Sequence, residues 1–398
     1  MKDKNIIGIN GSFLRKPATG IGQVSWHFSR ELIRREDEQF SGRRYIIYTE
    51  ERLQGYFWRG TLPKNIEVKI IEGWYKRDDL IRKILLEKFW LPKQVKKDRC
   101  NTFFSPYQSA TILPRKIKHI MFVHDVIPNI FPEYLNNFRK KIYYWLVTRS
   151  IKKASKILTN SKFSQKDIAK VCKLKQSDIK VVYLDCDPIF RKEISKEERE
   201  KRIKKYKLNL TDKYIFNFGG IDIRKNVDRV IKAYGKLSTE IKDLPSLVIG
   251  GKFYKHLVPL VPDIEQIIND VCQKYNLNKD KFKAIGFVEQ EDLPALYQSA
   301  EVFIYPSLYE GFGIPVLQGM CSRCPVITSN TTSIPEVISS EAGYLVENPE
   351  NVDEIKEQLK KALTDSLESR EEKISLAYQE SQKFSWDKFT EEVLRELN

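Results

Sequence analysis

The amino-acid sequence predicts two α/β domains, each built on a parallel sheet that carries helices on both faces. Short apolar runs alternate with helical patterns over most of the 398 residues, which is the pattern of repeated βαβ units. This length is sufficient for two hydrophobic cores. The alternation is interrupted at residues 188–210, which are charged and poor in strand-forming residues. The interruption indicates a boundary between two domains of similar size.

The first predicted domain spans residues 1–190. It opens with the apolar run NIIGIN at 5–10 and continues with a turn and an amphipathic helix at 19–36. Further strands are predicted at 44–48, 66–71, 102–105, 118–123, 156–159 and 179–183, with helices at 137–152 and 163–172. Because strands and helices alternate, neighbouring strands are expected to run parallel.

The second predicted domain spans residues 211–384, after a linker at 191–210. Its strands are predicted at 213–220, 246–251, 282–288, 301–307, 324–330 and 343–348. The last residues, 385–398, form a short amphipathic helix that can pack back on either domain. Packing on the N-terminal domain is the interpretation that we carry forward.

The charge of the chain is strongly basic, because 69 Lys and Arg against 53 Asp and Glu give +16. This charge favours an anionic partner but does not distinguish among nucleic acid, anionic lipid and a phosphorylated substrate. Six scattered cysteines fit free thiols in a reducing cytoplasm. The N-terminal apolar run is too short for a signal peptide, and no apolar stretch of about 18 residues predicts a spanning helix. We therefore expect a cytoplasmic protein.

The loop after the strand at 213–220 is the first candidate site, since open parallel sheets bind ligands outside the carboxyl ends of their strands. It starts with Gly219 and Gly220 and then places Arg224 and Lys225 at the start of a helix. A helix N-terminus attracts anions, Arg can hold a phosphate through two hydrogen bonds, and Lys adds a point charge. The helix dipole disfavours cations there, so the pair suggests a bound phosphate. Solvated surface residues are the alternative.

Two glycines follow the first strand. Gly20 and Gly22 stand at the entry of the helix at 19–36, where glycine lets the backbone approach a ligand closely. Their spacing does not match the G-x-G-x-x-G fingerprint of dinucleotide binding. A ligand-binding loop and a plain helix entry therefore both remain open.

The segment EVFIYPSLYEGFGIPVLQGM at 301–320 is predicted to be a strand, a loop and a helix. Glu310 lies in the loop, directly before the glycine-bracketed run 311–313. Gln318 interrupts the apolar run of the following helix. A ligand contact and a structural cap are both open for Glu310, and a buried amide bonded to backbone is the alternative for Gln318.

A histidine and an aspartate close the strand at 118–123. His124 and Asp125 are followed by a loop that contains proline. A histidine at the carboxyl end of a strand is well placed for a ligand cleft. A histidine that is hydrogen-bonded within its own loop is the alternative.

Metal and nucleophile sites are not predicted. Cys321 and Cys324 have a zinc-like spacing, but no second Cys or His pair lies near them in the sequence. They follow a helix rather than begin one, which argues against a redox pair. The sequence has no G-x-S-x-G nucleophile elbow, no GKS or GKT phosphate loop and no convincing Asp-x-Asp at a strand end.

The loops described above resemble those of a known family. EGFGIPVLQGM followed by PVITSN is similar to the E-G-F-G-x-P-x-L-E and P-V-I pattern of the retaining glycosyltransferases of family 4, which have the GT-B fold. GGIDIRKNVDRVIKAY, GFVEQEDLPALYQSAEVFIYPS and VHDVIPNIFPEY also match, in the expected order and over nearly the whole chain. The His-Asp loop and the GGxDxRKN pattern look most like the mannosyltransferase-type branch that builds bacterial surface polysaccharides.

The resemblance implies two Rossmann-like domains with parallel sheets that face each other across a cleft. The N-terminal domain would bind the acceptor and the C-terminal domain the nucleotide sugar. The implied reaction moves a hexose from a nucleotide-diphosphate sugar, for which GDP-mannose is the guess, to a saccharide or a polyprenyl-diphosphate-linked acceptor. It would retain configuration and need neither metal nor cofactor. Its front-face step, in which a phosphate oxygen takes the acceptor proton, requires no enzymic nucleophile.

The resemblance also implies roles for single residues. Arg224 and Lys225 would neutralise the donor diphosphate, Glu310 would contact the donor sugar, and His124 would lie beside the sugar and the reacting centre. These four residues form the predicted catalytic set. The predicted substrate-binding set is Gly20, Gly22, Asp125, Gly220, Phe287, Val288, Gly311, Phe312, Gly313, Ile314, Leu317 and Gln318.

One position departs from the family pattern. Gln318 stands where the family has a Glu that accepts hydrogen bonds from the ribose hydroxyls. A Gln carbonyl accepts them without a charge, and charge-assisted bonds are roughly twice as strong as neutral ones. We expect weaker or altered nucleotide binding rather than lost catalysis, because the four predicted catalytic residues are all present. The loop with Phe287 and Val288 would border the nucleotide base.

The positive charge is concentrated in two segments of the first domain. Residues 76–99 hold nine basic and four acidic residues among apolar ones, and residues 139–156 hold seven basic residues and no acidic one. A basic amphipathic segment can lie on an anionic membrane surface, and a solvated helix with a core-facing stripe is the alternative. A lipid-linked acceptor favours the membrane. Peripheral binding to the inner face of the plasma membrane is therefore our hypothesis.

Other functions fit parts of the sequence. A basic nucleic-acid-binding protein would explain the charge, but the chain has no aromatic RNA-recognition motif, zinc finger or helix-turn-helix pattern, so no nucleic-acid partner is expected. A catalytically weakened homologue that binds nucleotide sugar would explain Gln318. A GT-B phosphorylase or a sugar-nucleotide epimerase explains the E-G-F-G loop less well.

Overall fold

The protein is described by a computed structural model that covers residues 5–17, 19–52, 61–71, 78–251 and 260–397. The chain forms two units: unit 1 comprises Met1–Asp185 and Phe384–Asn398, and unit 2 comprises Cys186–Lys383. Each unit has its own parallel sheet. Among the described residues, no helix is long and apolar enough to cross a membrane.

Unit 1 is built on a seven-stranded sheet in which every neighbouring pair is parallel. Its strands are β1 (Ile6–Asn10), β2 (Arg44–Thr49), β3 (Ile66–Ile70), β4 (Thr102–Ser105), β5 (Lys118–Phe122), β6 (Lys156–Thr159) and β7 (Ile179–Val181). Their order is β3-β2-β1-β4-β5-β6-β7. The direction of chain progression therefore reverses between β1 and β4, which is where sheets of this kind bind ligands.

Six helices are described among the strands of unit 1. They are α1 (Gly20–Glu38), α2 (Asp79–Leu85), α3 (Leu91–Lys97), α4 (Ile127–Ile130), α5 (Phe138–Ile151) and α6 (Lys162–Cys172), with a π-helical turn at Leu86–Trp90. In α1, the Thr19 hydroxyl accepts the Gly22 N–H and caps the helix. Val24, Phe28 and Leu32 then recur at four-residue spacing and are fully buried, as an amphipathic helix requires.

Unit 2 is built on a six-stranded sheet, again with only parallel pairs. Its strands are β8 (Tyr214–Phe218), β9 (Ser246–Gly250), β10 (Phe282–Gly286), β11 (Val302–Tyr305), β12 (Val326–Ser329) and β13 (Tyr344–Val346). Their order is β10-β9-β8-β11-β12-β13, so the switch point lies between β8 and β11. All thirteen strands lie where the sequence predicts them, with ends that differ by at most two residues.

The described helices of unit 2 are α7 (Lys196–Lys204), α8 (Val227–Leu237), α9 (Ile264–Tyr275), α10 (Leu293–Ser299), α11 (Ile314–Cys321), α12 (Val352–Thr364) and α13 (Leu367–Ser381). Helix α7 precedes the first strand of unit 2, α8 to α11 connect successive strands from β8 to β12, and α12 and α13 follow β13. Val230, Ile231 and Tyr234 of α8 are fully buried in one core cluster with residues of the sheet, such as Ile215 and Ile249. Burial of such side chains supplies most of the stability of the unit.

The chain enters unit 2 after Asp185, five residues before the predicted domain end and without a linker at 191–210. Helix α7 lies inside that stretch and packs on unit 2: the Arg199 guanidinium donates to the Gln298 carbonyl at 3.0 Å. Ile203 is fully buried. The sequence did not predict this helix, because eight of its nine residues are charged. A single apolar residue does not produce a helical periodicity of hydrophobic positions.

The last helix, α14 (Trp386–Leu397), belongs to unit 1. The Trp386 ring stacks on His27 of α1 with centroids 4.6 Å apart, and Phe389 lies 5.4 Å from the Phe122 ring. The Lys118 ammonium donates to the Glu396 carbonyl at 2.7 Å. The chain therefore returns to its first unit after completing the second.

Candidate active site

Two loops of unit 2 leave neighbouring strands on either side of the switch point. The turn Ile223–Lys225 follows β8, and residues 306–313 follow β11. The Leu308 N–H donates to the Arg224 carbonyl at 2.7 Å and ties the two loops together. The structure therefore brings the predicted cations and the predicted carboxylate into one site, at the sheet edge where ligands bind.

The turn that carries the two cations is fixed by side-chain hydrogen bonds. The Asp222 carboxylate accepts the Arg224 N–H at 3.0 Å, and Asn226 ends the turn in the left-handed conformation at φ 61. The Asn226 amide donates to the Pro306 and Pro349 carbonyls, at 2.9 and 2.6 Å. This fully buried amide sets the position at which α8 begins, and with it the direction of the cations.

Lys225 and Glu310 form a nearly buried ion pair. The Lys225 ammonium donates to Glu310 Oε1 at 2.6 Å, and the Tyr305 hydroxyl donates to the same oxygen at 2.8 Å. Lys225 also hydrogen-bonds the Tyr305 hydroxyl and lies 5.0 Å from the centroid of its ring. The other oxygen, Glu310 Oε2, has no hydrogen-bond partner within the described part of the chain. That oxygen is suited to accept from a hydroxyl of a ligand.

The protonation of this cluster follows from its charges. Burial favours a neutral Glu310, but the charges of Lys225 and Arg224, with hydrogen bonds from Lys225 and Tyr305, hold its pKa below the ordinary value. Burial and the adjacent Glu310 charge raise the pKa of Tyr305 well above its ordinary value. At neutral pH, Glu310 is therefore an acceptor and Tyr305 a donor.

Arg224 is oriented beside this pair. Its guanidinium donates to the Asp222 carboxylate at 3.1 Å and to the Tyr309 carbonyl at 3.3 Å. The side chain is 12% exposed and its carboxylate partner 20%. A planar guanidinium has five N–H donors, so a group fixed in this way can hold an anion with directional hydrogen bonds.

The run 311–313 turns the chain sharply into α11. Gly313 has φ 108, and a Cβ atom there would lie 2.6 Å from Ile334 Cδ1, so glycine is required on both counts. The Glu310 N–H donates to the Thr332 hydroxyl at 3.2 Å, and its carbonyl accepts from Ser333 at 2.9 Å. The other predicted binding residues of this segment are buried or half-buried: Gly311, Phe312, Ile314 and Leu317.

Gln318 lies on α11 and is 3% exposed. Its Oε1 accepts from the Tyr297 hydroxyl at 3.4 Å, and among the described residues the amide has none of the backbone bonds that the structural alternative requires. Its Nε2 has no partner in the part of the chain that the structure describes. The amide is thus weakly bound by its own protein, which leaves it able to bond to another molecule.

Three predicted binding residues of unit 2 lie outside these contacts. Gly220 is exposed after β8. Phe287 and Val288 follow β10, two strands from β8, and the first is 48% exposed while the second is buried. An exposed aromatic ring at a carboxyl strand end can stack on a base. Contact of this loop with a base stays a prediction.

His124 ends a strand of unit 1 and is buried. Its ring Nε2 bonds to the Pro106 carbonyl at 2.9 Å, and its N–H donates to Gln108 at 3.1 Å. Burial lowers the pKa of His124 to about 4, although the bond to Pro106 opposes this. The ring is therefore neutral at physiological pH, with Nε2 as its N–H donor. The neighbouring Asp125 accepts the Ile127 N–H at 3.1 Å.

The glycines at the start of α1 differ from each other. Gly20 is exposed, and nothing lies within 4 Å of a Cβ atom built on it. At Gly22 such an atom would lie 1.8 Å from the Lys16 carbonyl. The close approach at Gly22 is therefore to the chain's own backbone, which favours the plain helix entry for this position.

Sequence reasoning missed three residues that build the site. Tyr305 completes the cluster around Glu310, Asp222 fixes Arg224, and Asn226 locks the turn. A tyrosine at the end of a predicted strand, and an Asp and an Asn flanking the two cations, were signals that could have identified them.

Comparison with protein families gives two successive matches. The family described as "Glycosyltransferase Family 4" matches residues 56–187, and that described as "Glycosyl transferases group 1" matches residues 198–380. The first match overlaps unit 1 and the second lies within unit 2.

Two relatives from Escherichia coli are similar over most of this chain. One is a "Serotype-specific mannosyltransferase WbdA", 30% identical over 270 residues, which are 68% of this chain and 32% of that protein. The chain spans about a third of that relative's length or less. The other is "O-antigen chain mannosyltransferase B", 29% identical over 71% of each chain.

Solved structures resemble the whole chain at low identity. WaaG, "a glycosyltransferase involved in lipopolysaccharide biosynthesis", has a TM-score of 0.70 at 18% identity over 98% of both chains. Anabaena Alr3699/HepE in complex with UDP and glucose has a TM-score of 0.69 at 14% identity, also over 98% of both chains. At these identities the likeness concerns the fold.

Proposed function

This chain belongs to the glycosyltransferases with the GT-B fold, and from that membership we propose that it transfers a hexose from a nucleotide-diphosphate sugar to a saccharide acceptor. The fold class and the family predicted from the sequence are thereby confirmed. The acceptor is proposed to be a saccharide, free or linked to a polyprenyl diphosphate, in the synthesis of a surface polysaccharide.

The observation that carries the proposal is the cluster of Arg224, Lys225 and Glu310 at the switch point of unit 2. The leaving group of the reaction is a nucleoside diphosphate, whose negative charge grows as the glycosidic bond breaks. Fixed cations that face this charge stabilise the transition state more than the ground state. Glu310 Oε2 is suited to a hydroxyl of the donor sugar, because it has no partner among the described residues.

Mannose from GDP-mannose is the proposed donor. Two similar proteins are named as a serotype-specific mannosyltransferase and an O-antigen chain mannosyltransferase, and this supports the choice of sugar. We propose that the transfer retains configuration without a metal ion, since Arg224 and Lys225 supply positive charge for the diphosphate. His124, neutral and with a fixed ring, is proposed to contact the sugar by hydrogen bonding and not through charge.

A second candidate function is a homologue that binds nucleotide sugar and turns it over weakly. Gln318 favours it, because a neutral amide replaces the carboxylate that the family uses for the ribose. Glu310, Arg224 and Lys225 lie together in one cluster, which supports the active enzyme, and we retain it as the conclusion.

The proposal predicts that nucleotide sugars stabilise the protein. A screen of GDP-, UDP-, ADP- and dTDP-sugars should raise the melting temperature most with GDP-mannose and give slow hydrolysis of that donor. Arg224→Ala should remove both effects. The variant lacks the guanidinium that would bind the diphosphate through two hydrogen bonds, and Asp222 loses its partner. Lys232→Ala is the matched control, since Lys232 is half exposed on α8 and bonds Asp228 one turn away. If no nucleotide sugar stabilises the protein and Arg224→Ala changes neither measurement, the assignment of the donor site is wrong.

Unit 1 has a surface on which the proposed membrane contact can be located. The two basic segments lie side by side, because Arg139 bonds Asp78 at 3.0 Å and the Tyr143 hydroxyl bonds Glu87 at 3.0 Å. Residues 76 and 77 of the first segment lie outside the described residues. In the second segment, helix α5 exposes three apolar side chains at a spacing that places them on one face: Phe138, Ile142 and Trp145, which are 76%, 39% and 58% exposed.

We propose that this face of α5 rests on an anionic bilayer. Basic residues adjoin the apolar face, and Arg149 lies over the Trp145 ring at 5.7 Å. Aromatic side chains favour the bilayer interface, and each basic residue near an anionic surface adds about 1 kcal/mol. The proposal places the enzyme at the inner leaflet, where a lipid-linked acceptor is available.

Vesicle flotation tests the membrane surface. The protein should float with vesicles of phosphatidylglycerol and phosphatidylcholine at low salt and less so at high salt. The double variant Phe138→Ser, Trp145→Ser should reduce the floated fraction by about tenfold. Leu367→Ser removes an equally exposed apolar side chain from unit 2 and should have no effect. Equal flotation of both variants, or none of the unaltered protein, would refute the surface.

A further inference from the structure

A buried carboxylate that the proposed function does not use lies in unit 1. Glu87 lies in the π-helical turn Leu86–Trp90 and is fully buried. Its Oε1 accepts from the Tyr107 hydroxyl at 2.9 Å. Its Oε2 accepts from the Tyr143 hydroxyl at 3.0 Å and from the Ala110 N–H at 2.7 Å. Both oxygens are therefore occupied by neutral donors, which hold the two tyrosine rings in place.

One turn earlier, Lys83 of α2 directs its ammonium into a group of aromatic rings. The Nζ atom lies 4.8 Å from the ring centroid of Phe13, 5.1 Å from that of Tyr107 and 5.0 Å from that of Tyr143, which are cation–π distances. It lies 3.9 Å from Glu87 Oε1, beyond hydrogen-bond reach. Among the residues that the structure describes, the ammonium has no hydrogen-bond acceptor. The side chain is 25% exposed, so one side remains open.

The ring group lies at the switch point of unit 1. Phe13 follows β1 and Tyr107 follows β4, the two strands that flank that point. Asn10, the last residue of β1, donates its amide to the Tyr107 hydroxyl at 3.0 Å and so joins the two strands through this ring. Ligands of open parallel sheets bind in such a place.

Positive charge is in excess around Lys83. Arg15, Lys16 and Arg82 lie nearby; Arg15 and Arg82 share the carboxylate of Glu50, at 3.5 and 3.1 Å, and Arg82 also pairs with Asp79 at 3.0 Å. Burial lowers the pKa of Lys83, the carboxylates of Glu87 and Glu50 oppose this, and the charges of Lys16 and Arg15 add smaller effects that lower the pKa. An anion that bound here would relieve both the repulsion and the missing hydrogen bonds.

We propose that Lys83 binds a phosphate group of the acceptor, with the rings of Phe13, Tyr107 and Tyr143 holding its ammonium in position. The inference rests on the proposed function, in which unit 1 takes the acceptor. A phosphate offers several charged oxygens to the three N–H donors of an ammonium. A lysine with a structural role alone would bond the nearby Glu87, whose oxygens are occupied by other donors instead.

Titration with inorganic pyrophosphate at low ionic strength tests the site on the full chain. Calorimetry should show two binding sites in the unaltered protein. Lys83→Met retains the apolar stem between the rings and should weaken one site by at least about tenfold, which is the loss expected for charge-assisted hydrogen bonds. Arg224→Ala should weaken the other site, in unit 2. Lys96→Met removes an exposed lysine from the same basic segment and should change neither.

A measurement on the unaltered protein does not depend on how well a variant folds. Pyrophosphate should slow the acetylation of Lys83, followed by peptide mass spectrometry, and leave the acetylation of Lys96 unchanged. Equal acetylation of Lys83 with and without pyrophosphate would overturn the proposal, as would unchanged binding by a folded Lys83→Met variant.

The same titration with geranyl diphosphate identifies the source of the phosphate. Tighter binding than pyrophosphate assigns the site to a lipid-linked phosphate, and equal binding assigns it to a phosphate on a soluble acceptor. The two functional assignments fail separately. Loss of all pyrophosphate binding in Arg224→Ala refutes the Lys83 site alone. Unchanged binding in Arg224→Ala refutes the donor site, and the Lys83 site is then decided by the Lys83→Met titration.

Discussion

Replacing Lys225 by Met is expected to lower the free energy of unfolding by about 3 kcal/mol, because it removes one partner of a nearly buried ion pair. Glu310 would keep its hydrogen bond from Tyr305 and lose its cation. Donor turnover should fall on the order of a hundredfold to a thousandfold, the range for loss of one fixed group that stabilises transition-state charge. Denaturant unfolding and donor hydrolysis measure the two effects.

A double-mutant cycle separates stability from activity. Glu310→Gln alone leaves the Lys225 ammonium without its carboxylate, whereas the combination of Lys225→Met with Glu310→Gln removes both charges. The combined variant should recover most of the lost stability and none of the activity. Additive losses of stability in the cycle would contradict a coupled pair, even if turnover fell as expected.

The pair also predicts an acid limit of stability. The pKa of Glu310 is lower in the folded protein than its ordinary value, which is about 4.3. Its contribution is therefore complete above that ordinary value and is lost as pH falls through the lower value of the folded state. The difference in unfolding free energy between the unaltered protein and the combined variant should shrink in that acidic range and stay constant from pH 6 to 8.

Replacing Gln318 by Glu is expected to act in opposite directions on the free and the donor-bound protein. A carboxylate at this 3% exposed position has the Tyr297 hydroxyl, 3.4 Å away, as its described partner. Burial of a charge with so little compensation costs several kcal/mol, so the melting temperature of the free protein should fall. Two ribose hydroxyls would donate to the new carboxylate, so GDP should raise the melting temperature more than it does in the unaltered protein.

Thermal shift with and without GDP measures both halves of this expectation. Gln379→Glu places the same change at an exposed position of α13. It should change the free energy of unfolding by no more than about 0.5 kcal/mol, both with and without GDP. A Gln318→Glu variant that is destabilised and gains nothing from GDP would mean that the ribose is bound elsewhere. In that case the second candidate function, weak turnover of a bound nucleotide sugar, becomes the better description.

The sequence predicted the structure best at those positions where a local pattern of residues has one physical cause. Parallel strands buried on both faces read as apolar runs, and each such run became a strand. Arg224 and Lys225 were identified because cations at a helix start oppose the dipole and so point to an anion. Helix α7 was missed, because Ile203 alone anchors it and its charge matches that of a linker.

The hydrogen bonds that join the two loops of the site could not be predicted from local sequence patterns. Tyr305 joins Lys225 and Glu310 only after β8 and β11 become neighbours, and the sequence does not give the order of strands directly. The ring group around Lys83 has the same origin, since Phe13, Tyr107 and Tyr143 lie far apart in the chain. Side-chain chemistry at a switch point thus depends on topology, which is the least local property of the fold.

The return of helix α14 to unit 1 determines the order in which the protein can be completed during translation. Unit 2 is continuous in the chain, whereas unit 1 lacks the rings of Trp386 and Phe389 until the residues of α14 have been synthesised after unit 2. Domains generally fold as units as they emerge. In the nascent chain, the side chains of His27 and Phe122 that these rings cover therefore lack those contacts throughout the synthesis of unit 2.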